Sequence, residues 1–293
     1  MVFILPILLI FIVLELLIRQ IPNDYSIKKK LLVNHSAKIN TLILGSSHSY
    51  YGLNPLYFNN NTFNAAFDGQ PLEYDYEILK NFENHFQKLN TLVLPISIPT
   101  LFIKSAKDIV PNYNYVVFMD LKLTNSVLDN SILINSPLKN NIKNTFRYYF
   151  EGNSIANCTN MGWGSNYHSS HKVDLSENGY SRAISHNNVS CLENEVLEEN
   201  LKTLKLIVNW CNCRKIKVVL FTPPAFISYR ENINYEQYKK TVYSTMNIAK
   251  IYENCEYYNF FENNEFTAGD FYDSDHLNEI GAKKLSILIK SLM

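Results

Sequence analysis

The chain has 293 residues, with 27 Lys and Arg balanced by 27 Asp and Glu, so its formal net charge at pH 7 is zero. A neutral chain exerts no bulk pull on polyanions, and the only basic run is Lys28 to Lys30, so a nucleic-acid partner is excluded as a first reading. With 46% hydrophobic and 18% charged residues the composition is that of a packed globular chain, long enough for one large domain or one domain with a sizeable insertion.

Val2 to Ile18 is apolar except for Pro6 and Glu15, and at ~1.5 Å per residue it reaches about 26 Å, nearly the thickness of a bilayer core. Arg19, Gln20, Ile21 and Pro22 follow without a small-residue cleavage site, so residues 1–22 read as an uncleaved membrane anchor rather than a signal peptide. The competing reading is a buried core helix, since Glu15 is awkward in lipid. Arg19, Lys28, Lys29, Lys30 and Lys38 all lie after the span, which by the positive-inside rule favours a cytoplasmic globular part.

Ile39 to Leu44 predicts a buried strand ending at Gly45. Thr91 to Leu94 and Tyr115 to Met119 have the same character. The stretch from Leu121 to about Ser190 loses this rhythm and is rich in Asn, Ser, Tyr and Gly, so it reads as an irregular insertion at about 121–190 lying over the strand ends. Beyond it, helix-period stretches at Leu197 to Trp210 and Tyr235 to Tyr252 flank a strand at Ile216 to Phe221. A last strand at Glu256 to Phe260 and a last helix at Glu279 to Leu292 complete the pattern. Short apolar strands alternating with amphipathic helices predict an α/β fold with a parallel sheet covered on both faces and a site at the strands' C-terminal ends.

Two motifs carry chemistry. Gly45-Ser46-Ser47-His48 follows the first strand, where a tight strand-to-helix turn would lift a serine hydroxyl to the sheet edge beside its own N–H. The plainer reading is a serine-rich turn that caps a helix or cradles an anion. Asp273-Ser274-Asp275-His276 precedes the last helix, and an Asp three residues before a His can fold back to accept from Nδ1, leaving Nε2 for a serine proton. Asp275, adjacent to His276, is expected to point away. The plainer reading is an acidic helix N-terminus with His276 merely exposed. Both motifs fall at the same edge of one parallel sheet.

On these residues the sequence resembles the SGNH (GDSL-like) hydrolase superfamily, in its membrane-anchored branch associated with bacterial envelope polysaccharide modification. Gly45-Ser46-Ser47 matches the nucleophile block, Asn64 to Gln70 the glycine block and Asp273 to His276 the C-terminal block. The resemblance implies a three-layer α/β/α sandwich with a flavodoxin-like parallel sheet over 23–293, and no cofactor or metal. It implies a catalytic triad of Ser47, His276 and Asp273, with Ser47 and Gly69 as oxyanion N–H donors. The family's third block carries an Asn, and here Ser97 stands in the corresponding place; losing one such donor typically costs roughly 10²- to 10³-fold in turnover.

The implied activity is acyl transfer through a serine ester on a cell-envelope glycan, by an O-acetyltransferase or acetylesterase, with His48 and Gln70 as candidate substrate contacts; Trp163, within Met161 to Gly164, reads as a third contact by sugar stacking or else as the insertion's small core. The resemblance also implies a catalytic domain outside the cytoplasmic membrane, against the flanking lysines; the alternative is a cytoplasmic face acting on lipid-linked glycan precursors, and an acyl donor carried across the membrane would require a membrane partner protein. The alternatives are a non-catalytic glycan-binding or assembly protein of the same fold, and a lipid or small-ester esterase with an apolar groove. Other features rank lower. His168 and His171 read as a polar surface loop before a metal pair, and the sequons at Asn34, Asn60, Asn157 and Asn188 are expected by chance in an Asn-rich chain. Cys158, Cys191, Cys211, Cys213 and Cys255 are odd in number and scattered, which predicts buried small hydrophobes and no disulfide framework.

Overall fold

The computed structural model describes residues 4–59, 61–103, 113–123, 128–171, 173–188 and 194–293; Asn60 and Cys191 of the sequence reading lie outside them. Its strands are β1 (Thr41–Ile43), β2 (Thr62–Asn64), β3 (Thr91–Pro95), β4 (Lys217–Thr222) and β5 (Cys255–Asn259), all parallel in the order β2-β1-β3-β4-β5. The helices are α1 (Ile4–Arg19), α2 (Asp24–His35), α3 (Ser47–Tyr50), α4 (Leu72–Asn81), α5 (Ile132–Asn135), α6 (Leu138–Tyr149), α7 (Leu175–Asn188), α8 (Asn194–Asn212), α9 (Ile227–Arg230), α10 (Tyr235–Ile251) and α11 (Glu279–Ser291).

Alternation along the strands divides the core between the two faces of the sheet. Leu42, Leu44, Leu92, Leu94, Val218 and Leu220 pack with Ile78 of α4, Leu204 and Ile207 of α8 and Ile248 of α10. Ile43, Val93, Val219 and Phe221 pack on the other side with Leu285 and Ile289 of α11. Each such side chain stabilises the fold by roughly 1.5–3 kcal/mol on burial. The predicted α/β class and parallel sheet are therefore present, with helices on both sides.

Two expectations are corrected, and one strand was not anticipated. Tyr115 to Met119 is a π-helical turn (Asn114–Phe118), not a strand. Tyr115 and Met119 are the fully buried pair, four residues apart, so the segment follows a helical period that its apolar character concealed. The insertion is not irregular, since α5, α6 and α7 lie within it; an Asn-rich composition of low helix propensity is overridden there by tertiary contact. Strand β2 carried no sequence signal. It is a three-residue sheet edge, and the insertion covers it, with the Asn64 N–H donating to the Met161 carbonyl at 2.9 Å.

At the N-terminus the expected element is a membrane anchor over residues 1–22, of which 4–22 are described. No single helix among the described residues is long and apolar enough to cross a membrane; the pair Leu5–Arg19 and Asp24–Lys38, bent by 60°, reaches that length and apolarity only when taken together. The 16 described residues of α1 reach about 24 Å at ~1.5 Å each, against a hydrocarbon core of ~30 Å. It is not a core helix either, because Leu5, Ile7, Leu9 and Ile10 are all at least 60% exposed. Glu15 resolves its own awkwardness by accepting from the N–H groups of Ile132 and Leu133, both at 3.0 Å, at the start of α5, while Arg19 pairs with it at 2.8 Å. The basic run is no surface patch: Lys28 is fully buried over the Tyr50 and Phe67 rings and donates to the Ala66 carbonyl, and Lys29 pairs with Asp120. Cys211 and Cys255 are buried as expected, whereas Cys213 is exposed.

Candidate active site

The turn after β1 is shaped by Gly45, whose φ of +108° suits glycine and whose missing Cβ would stand 2.5 Å from the Pro95 ring. Ser46 follows in extended conformation and Ser47 opens α3, so the Ser47 N–H is a first-turn donor without an intrahelical partner. A buried network fixes this turn. The Gly45 N–H donates to Asp75 Oδ1 at 2.7 Å, Gln70 Nε2 donates to the same oxygen at 2.5 Å, and the Tyr115 hydroxyl donates to Gln70 Oε1 at 3.0 Å. Asn64, also fully buried, donates to the Ser49 and Leu53 carbonyls at 2.7 and 2.9 Å and holds α3 against β2.

At the C-terminal side of β5, the chain turns through Asp273 to His276 before α11, whose Asn278 caps the Ile280 and Gly281 N–H groups. The two motifs meet. Ser47 Oγ lies 2.8 Å from His276 Nε2, and His276 Nδ1 lies 2.9 and 3.0 Å from the two oxygens of Asp273. A carboxylate only accepts, so in the neutral imidazole the proton sits on Nδ1 and Nε2 accepts from the Ser47 hydroxyl. Asp273 is itself oriented, accepting from the backbone N–H groups of Asp275 and His276 at 3.1 and 2.8 Å. Ser47, Asp273 and His276 are each less than a tenth exposed.

Asp275 does not point away. Both its oxygens accept from Arg182, at 2.8 Å each, in a bidentate pair, and Oδ1 stands 3.6 Å from His276 Nδ1. Burial opposes ionisation of Asp275, but His276 and Arg182 outweigh it and hold the carboxyl far below its usual range. Burial likewise pulls His276 down, and the Asp275 and Asp273 charges with the Asp273 hydrogen bond overcome it, leaving the imidazole above its ordinary pKa. Asp273 therefore acts on His276 by direct bonding and Asp275 through its field. His48, stacked on His276 with centroids 4.9 Å apart, is pushed by burial down to about 3 and stays neutral.

Ser47 and His276 open into a cavity of about 240 Å³. Gly69, Gln70, Ser97 and His48 line it, as the sequence reading expected, and Gly69 has a left-handed φ of +65°. Two of these are less free than expected. Gln70 has its amide committed to Asp75, Gly45 and Tyr115, and the Ser97 hydroxyl is 2.7 Å from Thr100 Oγ1. Trp163 is not brought to the cavity; its indole N–H donates to the Tyr51 carbonyl at 2.7 Å and pins the insertion to α3. The insertion's aromatic residue at the cavity is Tyr167, sandwiched between Tyr51 and Tyr272 at 3.7 and 3.8 Å.

Sequence reasoning missed Arg182 and His186, which line the same cavity from α7. The signal was a four-residue spacing: Asn178 takes the Ser274 N–H and hydroxyl at 3.0 and 2.8 Å, Arg182 takes Asp275, and His186 bonds the Tyr229 hydroxyl at 2.7 Å. It is legible only once α7 is known to be a helix. His168 and His171 stand with ring centroids 6.3 Å apart. Among the described residues, the His and carboxylate atoms close enough to share a cation are those of His48, Asp275 and His276. They do not fit one, since Arg182 occupies both Asp275 oxygens and Asp273 occupies His276 Nδ1. No protein-family model matches the chain, and no curated protein matches it.

Proposed function

We propose that the protein is a serine-dependent acyl-transfer enzyme of the SGNH (GDSL-like) hydrolase superfamily, acting on a cell-envelope polysaccharide as an O-acetyltransferase or acetylesterase. The observation that carries this reading is the continuous chain from Ser47 Oγ through His276 to Asp273, at 2.8 and 2.9 Å, in a buried site. His276 Nε2 takes the hydroxyl proton as Ser47 Oγ attacks the ester carbonyl. The oxyanion settles on the N–H groups of Ser47 and Gly69, with Ser97 able to donate when Thr100 donates to it. On collapse the C–O bond to the leaving alcohol breaks and His276 returns the proton to that alcohol. Water then attacks the serine ester in an esterase, or a sugar hydroxyl does so in a transferase, giving its proton to His276; the Ser47 Oγ–acyl bond breaks and His276 returns the proton to Ser47 Oγ.

Polar and aromatic cavity walls, with Arg182, His186 and Tyr167 beside the serine, favour a glycan over the apolar groove that a lipid esterase requires. A cavity of about 240 Å³ suits a short acyl group with part of a sugar ring. The non-catalytic reading is disfavoured by an imidazole that is buried and bonded on both nitrogens rather than turned to solvent. The exposed apolar α1 supports attachment to the cytoplasmic membrane, and a glycan substrate places the catalytic domain outside it, where the acyl donor is supplied by a membrane partner protein.

The test is labelling of the full chain with a serine-reactive fluorophosphonate, read by intact mass. A single adduct on the parent that is lost in both Ser47→Ala and His276→Ala is the expected result. Absence of an adduct on a folded parent overturns the enzyme reading in favour of a glycan-binding module.

A further inference from the structure

Helix α6 and the residue that follows it place Leu138, Ile142, Phe146 and Phe150 at four-residue spacing along one side, and their exposures run from 53 to 77%. A continuous apolar stripe of that kind marks a surface that something covers. The stripe does not stand alone. With Leu14 and Ile18 of α1 and Leu133 of α5 it lines an apolar groove of about 210 Å³, and α1 prolongs the same surface through its exposed Leu, Ile and Phe side chains. The three helices are tied together by Glu15 at the start of α5 and by the Tyr149 hydroxyl, which donates to the Leu17 carbonyl at 3.0 Å.

Charge selects the occupant. Helix α6 carries Lys139, Lys143 and Arg147, each one residue after a member of the stripe and so flanking it, and it carries no acidic residue. Tyr148 and Tyr149 stand at its C-terminal end. An apolar face edged by cations with tyrosine at its end is the composition of a helix lying in a lipid headgroup layer. A second copy docked through the same face would set these cations against their own counterparts, which disfavours self-association. We propose that α6 is an interfacial helix, its stripe sunk into the surface of the membrane that α1 enters and its cations on anionic headgroups. The inference rests on the reading of α1 as the membrane attachment and is independent of the chemistry at Ser47. It makes the attachment two-pointed, so the domain is held in a fixed orientation on the bilayer.

The full chain is reconstituted in nanodiscs of mixed phosphatidylcholine and phosphatidylglycerol, one chain per disc. Three variants each place an additional indole: Phe146→Trp on α6, Leu9→Trp on α1, and Tyr243→Trp on α10, where the side chain is 63% exposed. The parent's emission is subtracted, and quenching by bromine-labelled acyl chains is compared with quenching by aqueous acrylamide. Bromolipid quenching at positions 9 and 146 is expected to exceed that at 243 by about twofold or more, with acrylamide showing the reverse order. Omitting phosphatidylglycerol is expected to weaken the response at 146 and leave that at 9 unchanged. If position 9 responds while 146 behaves like 243, interfacial docking is overturned and the attachment through α1 stands. If neither responds, both readings fail. Shielding of 146 from both quenchers also overturns the proposal, because a protein surface then covers the stripe.

Discussion

The two ends of the segment between β3 and β4 behave in opposite ways. Its later part sends polar side chains inward, with Asn178, Arg182 and His186 of α7 bonded around the His276 turn. Its earlier part keeps apolar side chains outward, with Ile142 and Phe146 of α6 more than half exposed. Buried polar groups and exposed apolar stripes are both costly unless partnered, so each reports a partner. For α7 the partners are in the same chain: a buried Asp275 and the turn carrying His276. For α6 none of the chain's described surfaces closes over the stripe, and the proposed partner is a membrane surface.

The largest effect is expected at the His276 turn that α7 supports. Asp273→Asn removes the carboxylate that fixes the His276 tautomer, and the rate of fluorophosphonate acylation of Ser47 is expected to fall by about 10⁴-fold with the fold retained. A fall smaller than tenfold would assign the orienting role elsewhere, Asp275 being the next carboxylate. In the parent, His276 must be unprotonated to act, and its pKa is raised above the ordinary 6.5. Acylation is therefore full at higher pH and is lost as pH drops through a midpoint above 6.5, which a pH-rate profile reads directly.

Arg182→Met leaves Asp275 buried without its guanidinium. Breaking a fully buried pair costs ~3–5 kcal/mol, and a loss of about 2 kcal/mol is expected here because the Arg182 side chain is 33% exposed and water screens it. Arg182 also depresses the His276 pKa, so its removal moves the acid limb of the pH-rate profile upward. Denaturant midpoints and the profile together test this; an unchanged acid limb would reduce Arg182 to a packing role.

Asp75 sharpens the contrast from within the core. Burial pushes its carboxyl up to about 8, against hydrogen bonds from Gly45 and Gln70 that pull it down, and Oδ2 has no hydrogen-bond partner among the described residues. The folded state therefore favours the protonated form. Its contribution to stability is complete below the ordinary carboxylate pKa of 3.8 and is lost as pH rises through about 8. Asp75→Asn is expected to flatten the decline in unfolding free energy over that window, while keeping acceptance of the Gly45 N–H. The smallest effect belongs to the outer helix: Phe146→Ser should leave the acylation rate unchanged and alter stability by no more than about 0.5 kcal/mol in detergent. A larger loss would mean that α6 is packed into the protein, erasing the distinction between the two ends.

Much of the sheet was legible in the sequence because its cause is local. Ile39 to Leu44, Thr91 to Leu94 and Ile216 to Phe221 are apolar enough to demand burial on both faces, and the structure places β1, β3 and β4 inside those bounds or within one residue of them. The pairing of Ser47 with His276 and Asp273 was also legible, since strand-end turns of one parallel sheet share an edge whatever their separation in the chain. Tyr115 to Met119 failed because a short apolar run does not distinguish a strand from a buried helical turn, and only the packing of Tyr115 against Tyr25, Tyr74 and Phe67 decides it.

By itself the sequence determined the α/β class, the apolar N-terminal helix and the identity of the serine, histidine and aspartate that meet at 2.8 to 3.0 Å. Tertiary structure alone decided which groups surround them. It turned Asp275 inward onto Arg182, committed Gln70 to the Gly45–Ser47 turn, set Trp163 aside in favour of Tyr167 and left the face of α6 bare. The physical reason is that apolar periodicity and glycine turns act within a few residues, whereas a buried charge or hydrogen-bond partner is chosen among all residues the fold brings into reach.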